Sequence, residues 1–227
     1  MKRFRTFGSL MASVMLTGTA LATELETDAQ KMGYIIGMDI GSSLRRQGAE
    51  LDLAAVYDAI KAVYNGEELA MKPEEAATIR QSFTAKRRAE AENEREGLAA
   101  TNAAEGDKFL LENHSKEGVQ ITDSGLQYKV IDLGDGPKPT ATDKVKVHYR
   151  GTLLNGEEFD SSYARGEPIS FQLDRVIPGW TEGVQLMSVG SKFMFYIPSD
   201  LGYGTSGGGP IGPNATLIFQ IELLGIE

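Results

Sequence analysis

The sequence predicts an α+β protein: an all-α N-terminal arm with one very long connecting helix, then an antiparallel β-sheet wrapped around a short helix. Three observations support this. Apolar residues recur at helical spacing from Thr27 to about Asn113 and alternate with period two beyond residue 118. The first stretch is rich in Ala, Glu and Arg and holds one proline, Pro73, a composition that favours helix. The second is broken by Gly- and Pro-rich turns and leaves room for one helix among its strands.

The chain opens on a segment that reads as an export signal. Lys2, Arg3 and Arg5 form a basic start, an apolar run extends from about Leu10 to Leu21, and Ala20-Leu21-Ala22 offers a small-x-small cleavage pattern. Residues 1–22 are therefore expected to be a signal peptide. The apolar run is interrupted by Ser13, Thr17, Gly18 and Thr19 and is too short to span a bilayer, although a retained anchor is the competing reading. Cysteine is absent, which excludes disulfides, thiolate metal sites, thiol nucleophiles and a lipid anchor on an N-terminal cysteine. The formal net charge of −9 offers no basic footprint for nucleic acid.

Three helices follow. The first is expected over about 27–46, capped by Thr27 and ended near Gly48. The second covers 52–65, with Asp52 as N-cap and Asn65-Gly66 as its stop, so residues 23–72 read as a helical domain. The third begins at Pro73, a residue suited to the first helical position, and runs to about residue 115 within a linker of residues 73–117. At 1.5 Å per residue it would be a rod of about 65 Å. Its middle, residues 85–96, is almost wholly charged residues and alanine, which suits a helix bridging domains through solvent; a disordered charged linker is the alternative. Gly97 and Gly106 are expected to mark bends in it. In the first helix Gly33, Gly37 and Gly41 share one face beside Met32, Ile35, Ile36 and Ile40. Such a stripe admits a close helix, either from a second copy in a C2 dimer or from the second helix of the same chain.

The strands come next, in residues 118–227. Lys144 to Arg150 alternates so that Val145, Val147 and Tyr149 share a face, and Asn155-Gly156 marks a hairpin. Further strands are expected at 126–133, 157–161, 169–173, 192–197 and 216–224. The single helix falls at about 178–187, with Pro178 in its first turn.

Familiar catalytic groupings are missing. The only histidines are His114 and His148, which leaves a zinc site or a Ser-His-Asp triad little to draw on, and His148 reads as a surface residue. Gly207-Gly208-Gly209 lacks the Lys-Ser/Thr of a phosphate cradle and reads as a flexible loop. What remains is a set of aromatic and branched residues around turns, including Phe171, each of which taken singly suits a core as well as a ligand site.

Five segments in order resemble the signatures of the FKBP-type prolyl isomerases. They are Val147-His148-Tyr149-Arg150-Gly151, Phe159-Asp160-Ser161-Ser162, Val176-Ile177-Pro178-Gly179-Trp180, Leu201-Gly202-Tyr203-Gly204 and Ala215-Thr216-Leu217-Ile218-Phe219. With the signal and the helical arm, the whole chain resembles the Mip/FkpA-like branch, whose exported members are V-shaped dimers in Gram-negative bacteria. The resemblance implies a pocket floored by Trp180 and walled by Tyr149, Phe159, Val176, Ile177, Ile211 and Phe219. It implies that the Tyr203 hydroxyl and the Ile177 N–H donate to substrate carbonyls, and that Asp160 lies beside the twisting amide and pairs with Arg165. Ile169 stands where many relatives carry an aromatic residue, and the loop before Ile211 is one residue short and lacks a histidine; both changes alter the pocket rim.

The expected activity is Xaa-Pro isomerisation during folding of exported proteins, with chaperone action as a dimer in the periplasm and outer-membrane association left open. No cofactor or metal is required, the partners are proline-containing unfolded or exported polypeptides, and a rapamycin-type macrolide is a candidate ligand. A non-catalytic FKBP-fold adaptor with a vestigial pocket, and a hydrolase, are the rival functions.

Overall fold

The computed structural model describes residues 24–47 and 50–227. The expected signal peptide and the Gly48 helix stop lie outside the described residues. The chain divides into two units, residues 1–72 and 73–227.

In the first unit, α1 spans Asp28–Gln47 and α2 spans Leu53–Asn65. A reciprocal capping box starts α1: the Gln30 side chain accepts the Thr27 N–H at 2.9 Å, and the Gln30 N–H donates to Thr27 Oγ1 at 3.2 Å. Asp52 caps α2 by accepting the N–H groups of Ala54 and Ala55, and Gly66 closes it in the left-handed region at φ 68°. No residue of α2 is buried. Nothing lies within 4 Å of where a Cβ on Gly33, Gly37 or Gly41 would stand, so the stripe does not pack on the second helix of its own chain among the described residues.

The second unit begins with α3, Pro73–Asn113, 41 residues long. The charged stretch is helical, exposed on all sides as far as Leu98 apart from half-buried Ala76. The helix runs unbroken through Gly97 and Gly106. Gly106 permits close packing: a Cβ on it would sit 2.3 Å from Thr216 Oγ1. The C-terminal end docks through Asn113, buried, whose amide donates to Gln127 Oε1 at 3.0 Å. No helix among the described residues is long and apolar enough to cross a membrane.

Beyond α3 come β1 (Val119–Ile121), β2 (Gln127–Asp132), β3 (Lys144–Leu153), β4 (Glu158–Ser161), α4 (Ser162–Arg165), β5 (Ile169–Gln172), α5 (Pro178–Leu186), β6 (Lys192–Ile197) and β7 (Leu217–Ile226). The strands form one antiparallel sheet in the order β1-β2-β6-β7-β3-β4, with β5 also on β3. β1 and the one-turn helix α4 are additions to the expected elements. Three residues give no readable alternation, and four cannot show a helical period. Alternation in β3 buries Val145, Val147 and Tyr149 together. They meet Phe193, Phe195, Ile221 and Leu223 from β6 and β7 and Trp180 and Val184 from α5. Helix and sheet approach closely at Gly183, where a Cβ would fall 2.6 Å from the Phe195 ring.

Candidate active site

One end of this core stays open. A cavity of about 790 Å3 lies between α5, the strands around β3 and the loop after Tyr203. Trp180, in the first turn of α5, is 4% exposed and sits at its base. Three rings meet the indole nearly at right angles: Tyr149 at 5.1 Å, Phe219 at 5.2 Å and Phe171 at 5.4 Å. Phe159 continues the series against Phe219 at 5.4 Å. Edge-to-face contacts of this kind match positive ring edges to negative faces and fix the cup's shape. The Trp180 Nε1 donor is the one buried side-chain N or O without a partner among the described residues. Leaving such a donor unmet costs about 1–3 kcal/mol.

The polar rim is a three-residue network. Tyr149 Oη donates to Asp160 Oδ2, Arg165 Nη1 donates to Asp160 Oδ1 at 2.5 Å, and Arg165 Nη2 donates to Tyr149 Oη at 2.8 Å. Local structure sets this up: β4 delivers Asp160, Ser161 caps α4 through the Ala164 N–H, and the single helical turn swings Arg165 back. Burial alone would raise the Asp160 carboxyl, but the hydrogen bonds from Tyr149 and Arg165 outweigh it and hold the group below its ordinary value. Burial and the Asp160 hydrogen bond push the Tyr149 hydroxyl up to about 12.

Two further donors face no acceptor among the described residues. Ile177 precedes α5 in extended conformation and its N–H is unbonded. Tyr203 is 42% exposed and its hydroxyl is unpaired. The ten residues to which the resemblance gives site roles (Tyr149, Phe159, Asp160, Arg165, Val176, Ile177, Trp180, Tyr203, Ile211 and Phe219) all line this one cavity. Five more complete the lining: Ile169, Phe171, Arg175, Gly208 and Pro210. Two of them, Phe171 and Ile169, are already named from the sequence as a candidate aromatic and a change at the pocket rim, and β5 pairs them with Val145 and Val147. His148, expected at the surface, is half-buried on the opposite face. Its ring stacks on Tyr163 at 4.6 Å and Nδ1 lies 2.9 Å from Ser162 Oγ.

An antiparallel sheet closed over one short helix, with an aromatic cup open at its edge, is the arrangement that the comparisons with known proteins can be set against. The profile described as FKBP-type peptidyl-prolyl cis-trans isomerase matches residues 136–224, and that of the domain amino-terminal to such isomerases matches residues 29–130. The chain belongs to the FKBP-type peptidyl-prolyl cis-trans isomerases. It is 46% identical over 213 residues to the FKBP-type isomerase FkpA of Aeromonas hydrophila, covering 90% of this chain and 78% of that protein. It is 41% identical over 230 residues to the outer membrane protein MIP of Legionella longbeachae, covering 100% and 99%. The crystal structure of FkpA from Escherichia coli matches with a TM-score of 0.72 at 36% identity, over 90% of this chain and 99% of that one.

Proposed function

We propose that the cavity over Trp180 is where this isomerase turns Xaa-Pro bonds, and that its clients are exported, incompletely folded polypeptides. The observation that supports this most is the convergence of the ten residues on one open aromatic cup. Rotation about an amide costs about 18–20 kcal/mol because resonance is lost at the twist. The twisted amide is less polar than the planar one, so a cup with little water favours it over the ground state. Trp180 carries the proline ring, with Tyr149, Phe159, Val176, Ile177, Ile211 and Phe219 as walls. The Ile177 N–H and Tyr203 hydroxyl hold the flanking carbonyls. Asp160, fixed by Tyr149 and Arg165, presents its charge to the turning amide. Each tenfold acceleration needs about 1.4 kcal/mol, within reach of a few such contacts.

A volume of about 790 Å3 exceeds a proline ring and falls within the range of drug-sized ligand sites, which suits a rapamycin-type macrolide as competitor. The test is a prolyl-isomerisation assay on an Xaa-Pro peptide with and without such a macrolide. Activity that the macrolide abolishes, and that Asp160→Leu and Tyr203→Phe each lower, supports the reading. Full activity in both variants overturns it.

The uncovered faces of α1 and α2 favour a homodimer through residues 23–72, and joining two cups in one molecule favours chaperone action by avidity. The basic, apolar and small-residue order of residues 1–22 favours export to the periplasm.

A further inference from the structure

The segment from Gly202 to Asn214 supplies Tyr203, Gly208, Pro210 and Ile211 to the cavity wall, yet its composition resists order. It holds six glycines and two prolines. Gly204, Gly207 and Gly209 take φ values of 59°, 64° and 57°, and Asn214 takes 54°. A glycine-rich chain loses more backbone entropy on being fixed than any other. The loop's own main-chain bonds join it mainly to itself: Gly207 N–H to Tyr203 O, Gly208 and Ile211 to each other, and Asn214 N–H to Gly204 O at 2.9 Å.

Its side-chain hydrogen bonds to the outside, among the described residues, all join it to α3. Arg95 Nη2 donates to Thr205 O at 3.0 Å, and Asn102 Nδ2 donates to Pro213 O at 2.8 Å. In return Asn214 Nδ2 donates to Ala99 O at 3.3 Å. The main chain passes close by as well, since a Cβ on Gly212 would stand 3.0 Å from Asn102 Nδ2 and 3.3 Å from Leu98 Cδ2. Arg95, Ala99, Asn102 and Gly106 recur every three or four residues, so they lie on one face of the helix. That face runs along the loop, while the helix before Arg95 is exposed almost throughout.

We propose that Arg95 and Asn102 are positioning residues for the isomerase, with α3 acting as the splint that holds Tyr203 and Ile211 opposite Trp180. The proposal rests on the Trp180 cavity being the reaction site. A released loop divides its time between competent and incompetent arrangements, and substrate must then select the competent fraction. Apparent affinity falls while the saturated enzyme turns over normally. Partial global unfolding has the opposite signature, a lower kcat at unchanged KM.

The experiment uses the full chain and an Xaa-Pro peptide series. Asn102→Asp keeps the side-chain shape but turns a donor into an acceptor facing a carbonyl. It should raise KM about fivefold with kcat within about twofold, and Arg95→Ala/Asn102→Ala should raise KM more than about tenfold. Asn93→Ala, the same loss of an amide on the opposite helix face, should match the parent. Amide exchange at Gly207, Gly208 and Ile211 should quicken in the Asn102 and Arg95 variants, with the β6–β7 amides unchanged. Parent-like KM and parent-like exchange in Asn102→Asp and in the double variant overturn the role of α3. If those hold while Asp160→Leu loses activity, only the splint fails; if Asp160→Leu keeps full activity, the cavity assignment fails and the splint with it.

Discussion

Asp160 keeps its charge against its own burial because two donors, Tyr149 and Arg165, close on its two oxygens. A carboxyl held below its unfolded value adds stability above that value and loses it as pH falls through the folded one. The Tyr149 hydroxyl, pushed up to about 12, works in the other direction: its contribution is complete below about 10 and is lost as pH rises toward 12. The trio therefore keeps one ionisation state across the neutral range, and kcat/KM should be flat from about pH 5 to pH 9. Tyr149→Phe takes away one donor, so the carboxyl must rise and the acid limb of the kcat/KM profile must move to higher pH. An acid limb that stays in place would show that Tyr149 does not tune Asp160. Asp160→Leu should cost about tenfold in kcat/KM, about 1.4 kcal/mol, and Tyr203→Phe rather less because only one exposed hydroxyl goes. Circular dichroism of both variants should match the parent, since neither residue belongs to the buried core.

The helix α3 shows how one residue type does two jobs in one element. Gly97 has open space where a Cβ would go, whereas at Gly106 that Cβ would lie 2.3 Å from Thr216 Oγ1. Gly97→Ala should stabilise the protein by about 1 kcal/mol through helix propensity alone. Gly106→Ala gains the same propensity but overpacks the contact, for about 1–3 kcal/mol, and should lower Tm. Thr216→Ala in the Gly106→Ala background should restore it, and thermal melts of the three variants decide the matter. From the sequence the two glycines look alike, because the partner that separates them is more than a hundred positions away. Local signals were legible: the Thr27 and Asp52 caps, the Pro73 start, the Asn65-Gly66 stop and the alternation of β3 all reappear in the structure. What escaped was short or tertiary, namely β1, α4, the docking of α3 and the half-buried setting of His148. The cavity lining divides the same way. Motif residues announce themselves, as does the loop before Ile211 that brings Gly208 and Pro210 to the rim, while Arg175 enters through the curl of a loop that no periodicity encodes.

At the scale of the whole molecule the open question is what covers the first unit. Met32, Ile35, Ile36, Leu53, Val63 and Tyr64 are all exposed within one chain, and the glycine stripe of α1 meets nothing. Two short helices with their apolar faces in water bury too little surface to hold together alone. On the proposed dimer a second copy would supply the missing partner by symmetry, with four-residue glycine spacing letting the backbones approach. Residues 23–227 should therefore scatter light as a dimer at micromolar concentration. Gly37→Leu separates the alternatives cleanly: within one chain the leucine has open space and improves helix propensity by about 1 kcal/mol, so a monomeric arm would gain stability. At a dimer interface the same leucine forces the backbones apart, and the variant should scatter as a monomer. Its kcat/KM on a short peptide should stay at the parent value, because the cavity lies wholly within residues 149–219. Suppression of aggregation of a proline-free client should fall at least about tenfold, because avidity multiplies weak contacts only while two copies are joined. A parent that is already monomeric, or a Gly37→Leu variant that remains dimeric with full aggregation suppression, would remove the arm from the interface.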